Sequence, residues 1–227
     1  DNAFEGCSSL KKINIPSSVI SIGSFVFKNC NSLIEIHIPF SVKTIGEKCF
    51  EKCYKLKKIS ILSSYTFDKT TVLNECPNIE EIDILPESTS IGNLFKEYKQ
   101  LEKINIPSSI ITIGDNSFYG CINLKKVIIP TSVTTINNNS FYQCISIEKI
   151  SIPDSVQIIG DEVFYNCISL KQVELSASLV SIGNNSFEKC SSLQKISIPS
   201  SVTSIGSSLF KDCVSLTEIT IPSSINC

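Results

Sequence analysis

Residues 187–206 read FEKCSSLQKISIPSSVTSIG, and most positions in that run have a counterpart 23 residues earlier. Leu193, Ile196 and Ile198 end in an alternation of apolar and polar side chains, the period of a short β-strand with one buried face. Pro199 lacks an N–H and closes the strand. Gly206 stands where the chain is expected to turn through the left-handed region. Phe187 and Cys190 lie three residues apart, which places both on one side of a helical turn.

The same frame extends in both directions. Its marker is Phe4, Phe27, Phe50, Leu73, Phe95, Phe118, Phe141, Phe164, Phe187 and Phe210, spaced by 23 residues except for 22 between Leu73 and Phe95. Three residues after each marker stands Cys7, Cys30, Cys53, Cys76, Cys121, Cys144, Cys167, Cys190 or Cys213, and Tyr98 alone breaks the column. Gly23, Gly46, Gly92, Gly114, Gly160, Gly183 and Gly206 form another column, in which Asn137 replaces Gly once. Because Asn shares glycine's tolerance of the left-handed region, Asn137 is expected to have a positive φ.

A 23-residue unit is too short for a pair of helices, and its strand content excludes helical solenoids. The expected fold is therefore an α/β-type solenoid of about ten units occupying residues 1–227 as one array. Strands are expected near 11–15, 34–38, 103–106, 126–129, 149–152, 172–175, 195–198 and 218–221. They would stack in parallel about 4.8 Å apart, as a single sheet on one face. Short polar residues such as Asn184 and Asn185 would cap a helical turn after the Gly column. Residues 62–98 are irregular: Ser64 to Val72 lacks the Gly, Asp68 replaces Ile, and Pro86 is displaced by one. A hinge, a binding insertion and compensated drift all account for this. The chain starts and ends within a unit and has no polar capping repeat, so further repeats or another domain are expected in a longer protein.

The pattern F-x-x-C-x-x-L-x-x-I-x-I-P-x-S-V-x-x-I-G closely resembles the BspA-like, or Treponema-type, leucine-rich repeats. The resemblance covers the whole chain, weakly at 62–98. It implies a right-handed superhelix with a concave parallel sheet. It also implies a non-enzymatic protein-binding module of the kind found on mucosal bacteria and parasitic protists, linked with adhesion to host matrix proteins and cells. Some members serve inside the cell, so an intracellular scaffold, such as a component of a cytoskeletal assembly, is the alternative. An enzyme with a regulatory repeat region would keep its catalysis elsewhere. Where many leucine-rich repeats have Asn after the strand, this chain has Ser18, Ser41, Ser109, Ser132, Ser155, Ser178, Ser201 and Ser224, whose hydroxyls are expected to satisfy backbone groups at the bend.

Composition narrows the function further. The net charge of −2 gives no footprint for nucleic acid, and no apolar run approaches the roughly 20 residues that span a bilayer. All 20 basic residues are Lys. A linear column of Cys cannot converge tetrahedrally on zinc, and only Cys49 and Cys53 have chelating spacing. The column is close enough for disulfides, but an odd count of 11 and an inward-facing column favour free thiols, with Cys49 and Cys227 as exceptions. His37 is the one His and points outward between Ile36 and Ile38. No catalytic, cofactor-binding or metal-binding residue is expected. The motifs Asn138-Asn139-Ser140 and Asn184-Asn185-Ser186 match glycosylation acceptors, but also arise readily in a chain rich in Asn and Ser.

Two outward surfaces remain. One row of the strand face reads Lys12, Glu35, Lys58, Glu81, Lys103, Lys126, Lys149, Gln172, Lys195, Glu218. The next contains Asn105, Ile128 and Ser151, with Ile128 its single apolar member. Lys103, Asn105, Lys126, Ile128, Lys149, Ser151 and Lys195 read either as a solubilising face or as a basic patch for an acidic protein or acidic glycan. The second surface is Tyr119, Tyr142 and Tyr165, one per repeat, which read either as an aromatic anchor for a partner or as a self-stacked strip. A cell-surface or secreted location fits the first function, and a cytoplasmic one fits the alternative.

Overall fold

The computed structural model describes residues 1–61, 76 and 78–225. Ser64 to Val72, which includes Asp68, lies outside the described residues, as do Leu73 and Cys227.

The chain winds as a parallel β-solenoid of about eight turns, somewhat fewer than the ten units marked by Phe. One face carries the strands Glu35–His37, Lys58–Ile61, Glu81–Ile84, Lys103–Asn105, Lys126–Val127, Lys149–Ser151, Gln172–Glu174, Lys195–Ser197 and Glu218–Thr220. Each pairs in parallel with its neighbour one turn away, as Glu35 with Lys58 and Lys195 with Glu218. Ile36, Ile59, Ile82, Ile104, Ile150 and Ile196 point inward, and the flanking residues face out or lie part-covered. The expected strand at 11–15 is not formed; on this face the first strand is Glu35–His37. The ladder is interrupted between Lys126–Val127 and Lys149–Ser151, which leaves five strands on one side and four on the other.

The expectation of a single sheet is corrected by a second ladder. It consists of two-residue strands immediately before the Gly column: Ser21–Ile22, Thr44–Ile45, Ser90–Ile91, Thr112–Ile113, Thr135–Ile136, Ile158–Ile159, Ser181–Ile182 and Ser204–Ile205. Val202 points inward, Thr203 and Ser204 are exposed, and Ile205 turns back towards the core. Two outward residues between two inward ones do not show the period of two by which strands are recognised.

The Phe corners form a third ladder where a helical turn was expected. The N–H groups of Asn139, Phe141 and Gln143 donate to the carbonyls of Asp161, Val163 and Tyr165 in the next turn, at 2.9, 2.9 and 2.8 Å. Asn185, Phe187 and Lys189 repeat this on Ser207, Leu209 and Lys211. The residues two before and two after Phe are left-handed, with φ of 55° at Asn139 and 57° at Gln143. Left-handed residues on both sides of Phe, four positions apart, cannot belong to a right-handed helix, so each Phe corner is a stacked arch. Among the described residues the sole helix is the 3-10 turn Asn93–Phe95. There Gly92 precedes Phe95 by three residues rather than the usual four, and the missing residue is the left-handed one before Phe.

Asn137 does not have the positive φ expected of it. Its N–H donates to the carbonyl of Ile113 at 2.8 Å, as that of Gly183 does to Ile159, so the Gly column continues the second ladder. At Gly46, Gly183 and Gly206 glycine is needed for space, whereas a Cβ on Gly92 would meet nothing within 4 Å. A Cβ on Gly183 would lie 2.5 Å from the carbonyl carbon of Gly160 and 2.6 Å from the nitrogen of Asp161. Nothing in the structure explains how the Asn137 turn accommodates its side chain.

Inside the solenoid Phe rings stack from turn to turn, with centroids 5.1–5.7 Å apart and planes within 19°. The Cys column lies beside them. The thiols of Cys53, Cys121, Cys144, Cys167 and Cys190 donate to the Phe carbonyl one turn back at 3.0–3.2 Å. Cys is therefore the column residue because it is small enough for the stack and carries a donor. Tyr98 fills the same place and donates its hydroxyl to the carbonyls of Cys76 and Ile79. Ser109, Ser132 and Ser224 donate to carbonyls of the preceding turn as expected, whereas the hydroxyls of Ser41, Ser155 and Ser201 are buried without such a bond.

Two glycine substitutions separate close approach from conformation. Gly183→Ala is expected to lower stability by about 1–3 kcal/mol through the backbone clash. Gly120→Asn, at a φ of +70° where other turns hold Gln143 and Lys189, should change it by less than about 0.5 kcal/mol. Urea denaturation of both variants measures this. Equal losses would contradict the steric account of the Gly column.

Candidate functional site

The strand face presents charge in rows, and the rows largely neutralise themselves. Lys12 pairs with Glu35, Lys57 with Glu80, Lys125 with Glu102, Lys171 with Glu148, Lys149 with Glu174 and Lys195 with Glu218, all at 2.9–3.3 Å. Lys58 reaches both Glu81 at 3.1 Å and Asp83 at 2.8 Å. Asp83, then Glu81, holds the Lys58 ammonium above its ordinary range. Asn105 donates to the same two carboxylates and is spent on that cluster. Glu174 is held below the usual carboxylate range by Lys149 and then by Ser151.

Among the described residues of these rows, Lys11, Lys103 and Lys126 have no ion pair. Lys103 and Lys126 are direct cross-strand neighbours, an arrangement that costs stability unless something compensates it. Ile128, two residues on, is 66% exposed while Val127 is buried. Where the ladder is interrupted, an open groove lies beside them, lined by Lys125, Lys126, Val127, Ser146, Glu148, Lys149 and Ser151. The structure thus brings Lys103, Lys126 and Ile128 together, with Lys149 and Ser151 across the groove. It leaves Lys195 apart and neutralised. Sequence reasoning missed the diagonal pairing of Lys149 with Glu174, which the order of the rows contains, and missed the groove, which no single column encodes.

Tyr119, Tyr142 and Tyr165 stack face to face, with centroids 4.6 and 4.7 Å apart and planes within 5°. Lys96 lies over the free face of Tyr119 at 5.1 Å, and Lys189 lies over Tyr165 at 4.8 Å and donates to its hydroxyl. Burial, then the neighbouring Tyr119 and Tyr165, pushes the Tyr142 hydroxyl up. The ring faces are thus consumed within the stack, and the three half-buried side chains present edges outward.

Asn138 and Asn184 are exposed, but each is a rung between turns. Asn138 Oδ1 accepts the N–H of Asp161 at 2.8 Å, and Asn184 Oδ1 accepts that of Ser207 at 2.9 Å. Ser140 and Ser186 are buried and donate to carbonyls of the Gly column, Gly114 and Gly160 respectively. His37 is exposed on the strand face, as expected. Among the described residues no three of His, Cys, Asp and Glu converge as a metal site would require. No helix of the described residues is long and apolar enough to cross a membrane.

Sequence and fold together place the chain in a family. The BspA type leucine rich repeat region matches residues 1–125 and 111–227 in 6 copies, and the chain belongs to that family. A leucine-rich repeat protein from Bacteroides ovatus is 29% identical, with 99% of this chain and 70% of that one aligned at a TM-score of 0.60. The leucine-rich repeat protein TpLRR of T. pallidum is 28% identical over 63% of this chain and 71% of that one, at 0.62. A leucine-rich repeat protein from Eubacterium ventriosum shares the fold at 24% identity, with 100% of this chain and 70% of that one aligned at 0.55. No curated protein matches. Solenoids of this family are generally non-enzymatic, and many are surface-associated. The fold serves protein binding in general.

Cys30, Cys53, Cys121, Cys144, Cys167 and Cys190 are buried and unpaired, as the inward column requires. Burial pushes the thiols of Cys53 and Cys167 up to about 12, and that of Cys213 to about 11. Unfolded thiols ionise near about 8.5, so the folded state holds the proton more tightly. The stability this supplies is complete below about pH 8.5 and is lost as pH rises towards 11–12. The urea midpoint should fall between pH 7.5 and about pH 10, and fall less in a Cys144→Ala/Cys167→Ala variant. An unchanged wild-type midpoint, or equal falls in both proteins, would contradict the buried-thiol account.

Proposed function

We propose that this chain is a non-enzymatic protein-binding module displayed on a cell surface, and that it recognises acidic ligands through Lys103, Lys126 and Ile128. The observation that carries this reading is the uncompensated pair. On a face where nearly every charge is matched by a neighbour, Lys103 and Lys126 face each other across adjacent strands with no carboxylate between them. Repeat arrays spend their inward columns on stacking, so outward positions alone are free to specialise. An exposed Ile beside two free ammonium groups offers a partner both apolar contact and charge. The groove on the Ser146 and Ser151 side gives an acidic segment room to lie between strands. On this reading Asn138 and Asn184 are glycan acceptors, and because Ser140 and Ser186 are buried, the glycan is added before the turns close.

The intracellular scaffold is favoured by one observation: Cys7, Cys30, Cys53, Cys121, Cys144, Cys167, Cys190 and Cys213 are free thiols, the state that a reducing compartment maintains. Antibody labelling of intact against permeabilised cells separates the two locations.

The binding test uses immobilised poly-glutamate peptide and heparin as probes. Lys103→Glu with Lys126→Glu should weaken attachment about tenfold or more, and raising salt from about 0.05 to 0.3 M should weaken the wild type in the same direction. Lys195→Glu, which alters a lysine already paired with Glu218, should have a smaller effect. Equal binding by all three proteins, with circular dichroism unchanged, would overturn the assignment.

A further inference from the structure

The Tyr strip has a second row beside it. Ile122, Ile145 and Ile168 stand three residues after Tyr119, Tyr142 and Tyr165, in the same three turns. Ile168 is exposed, and Ile122 and Ile145 are half-buried. Three consecutive corners therefore carry an aromatic edge and an aliphatic side chain on the outside of the solenoid, away from the strand face. Mutual stacking explains the order of the Tyr rings but not the Ile row, which neither packs in the core nor pairs with charge.

The charges that frame this patch are antisymmetric. Two residues after Phe the column reads Glu97, Gly120, Gln143, Asn166, Lys189, so a carboxylate and an ammonium lie at equal distances, two turns each, from Gln143. Glu97 is exposed and has no ion pair among the described residues. Lys189 is 41% exposed at its side chain, where its ammonium lies 3.8 Å from Glu188 and donates to the Tyr165 hydroxyl. A column of this kind is complementary to itself when a second copy lies antiparallel to it about a two-fold axis running across the turns.

We propose that this corner surface is a self-association site, on which a second copy of the chain docks about a two-fold axis passing beside Gln143. The rotation sets Glu97 of each copy against Lys189 of the other. It also sets each apolar row against its own reversed copy: Tyr119 meets Tyr165, Tyr142 meets Tyr142, and Ile122 meets Ile168. A contact over five turns is only about 20 Å long, so the dimer is weak and forms at high local concentration, as on a crowded surface. It is independent of Lys103 and Lys126, and pairing two chains would give a ligand two strand faces at once.

Sedimentation equilibrium from about 10 μM to about 1 mM tests the proposal. The wild type should shift from monomer to dimer across this range. Glu97→Lys alone and Lys189→Glu alone should each weaken the dimer about tenfold, because each puts like charges in both symmetric contacts. Mixing the two variants in equal amounts should restore dimerisation, because both contacts in the mixed pair are again opposite in sign. Lys103→Glu/Lys126→Glu should dimerise as the wild type does. Glu97 lies at the exposed surface, and circular dichroism confirms that each variant is folded before it is weighed. A wild type that stays monomeric to about 1 mM overturns the proposal. So does a dimer indifferent to either swap, a mixture that stays monomeric, or a dimer lost with the strand-face lysines.

Discussion

One constraint governs this molecule: each residue packs against the residue 23 positions away. A turn is only about 5 Å thick, so a side chain or backbone group that cannot bond to its own translated copy, or to that copy's neighbour, has nowhere else to go. Each column is a solution to that problem. Phe rings stack on Phe rings. A Cys thiol donates to the Phe carbonyl one turn back. Asp115, Asn138, Asp161 and Asn184 each accept the N–H of the residue one turn on. The backbone does the same three times per turn, through two strand ladders and the arch of left-handed residues around Phe. Gly in the remaining column lets two turns approach within contact distance.

Because the core is spent on stacking, function falls to the outward positions, and stacking constrains those as well. A like-charged row would repel itself along its whole length, so Lys and Glu alternate or pair on diagonals. On the corner the same requirement is met by Glu5, Lys28 and Glu51, then by the Lys96 and Tyr stack, and finally by Glu188 with Lys211. Departures from self-matching therefore carry information. Lys103 beside Lys126, and the Ile row beside the Tyr strip, are departures of that kind.

The period, the first set of strands, the buried Phe and Cys columns and the free thiols were legible in the sequence because they follow from residues that repeat and face inward. The second ladder was not, since Thr203 and Ser204 point outward together between Val202 and Ile205. The corner was read as helical because Phe187 and Cys190 have helical spacing, yet the left-handed residues Asn185 and Lys189 have no shared identity to announce them. The Gly column was read as conformational when its cause is proximity, a distance between turns that no single turn contains. At the site, the rows gave Lys103, Lys126 and Ile128 correctly as outward neighbours. They hid the neutralisation of Lys149 by Glu174, because that pair crosses from one row to the next.

The solenoid depends most heavily on its corners, where a run of turn residues is as firmly bonded between turns as a β-strand. Residue-resolved amide hydrogen exchange on the native protein tests this directly. The amides of Asn139, Phe141 and Gln143, and of Glu162, Phe164 and Asn166, should exchange as slowly as those of Ile150 and Val173 in the strand ladder. Corner amides exchanging at the rate of exposed loops, while the strand amides stay protected, would show that the arches are not held by their neighbours and would contradict the three-ladder description.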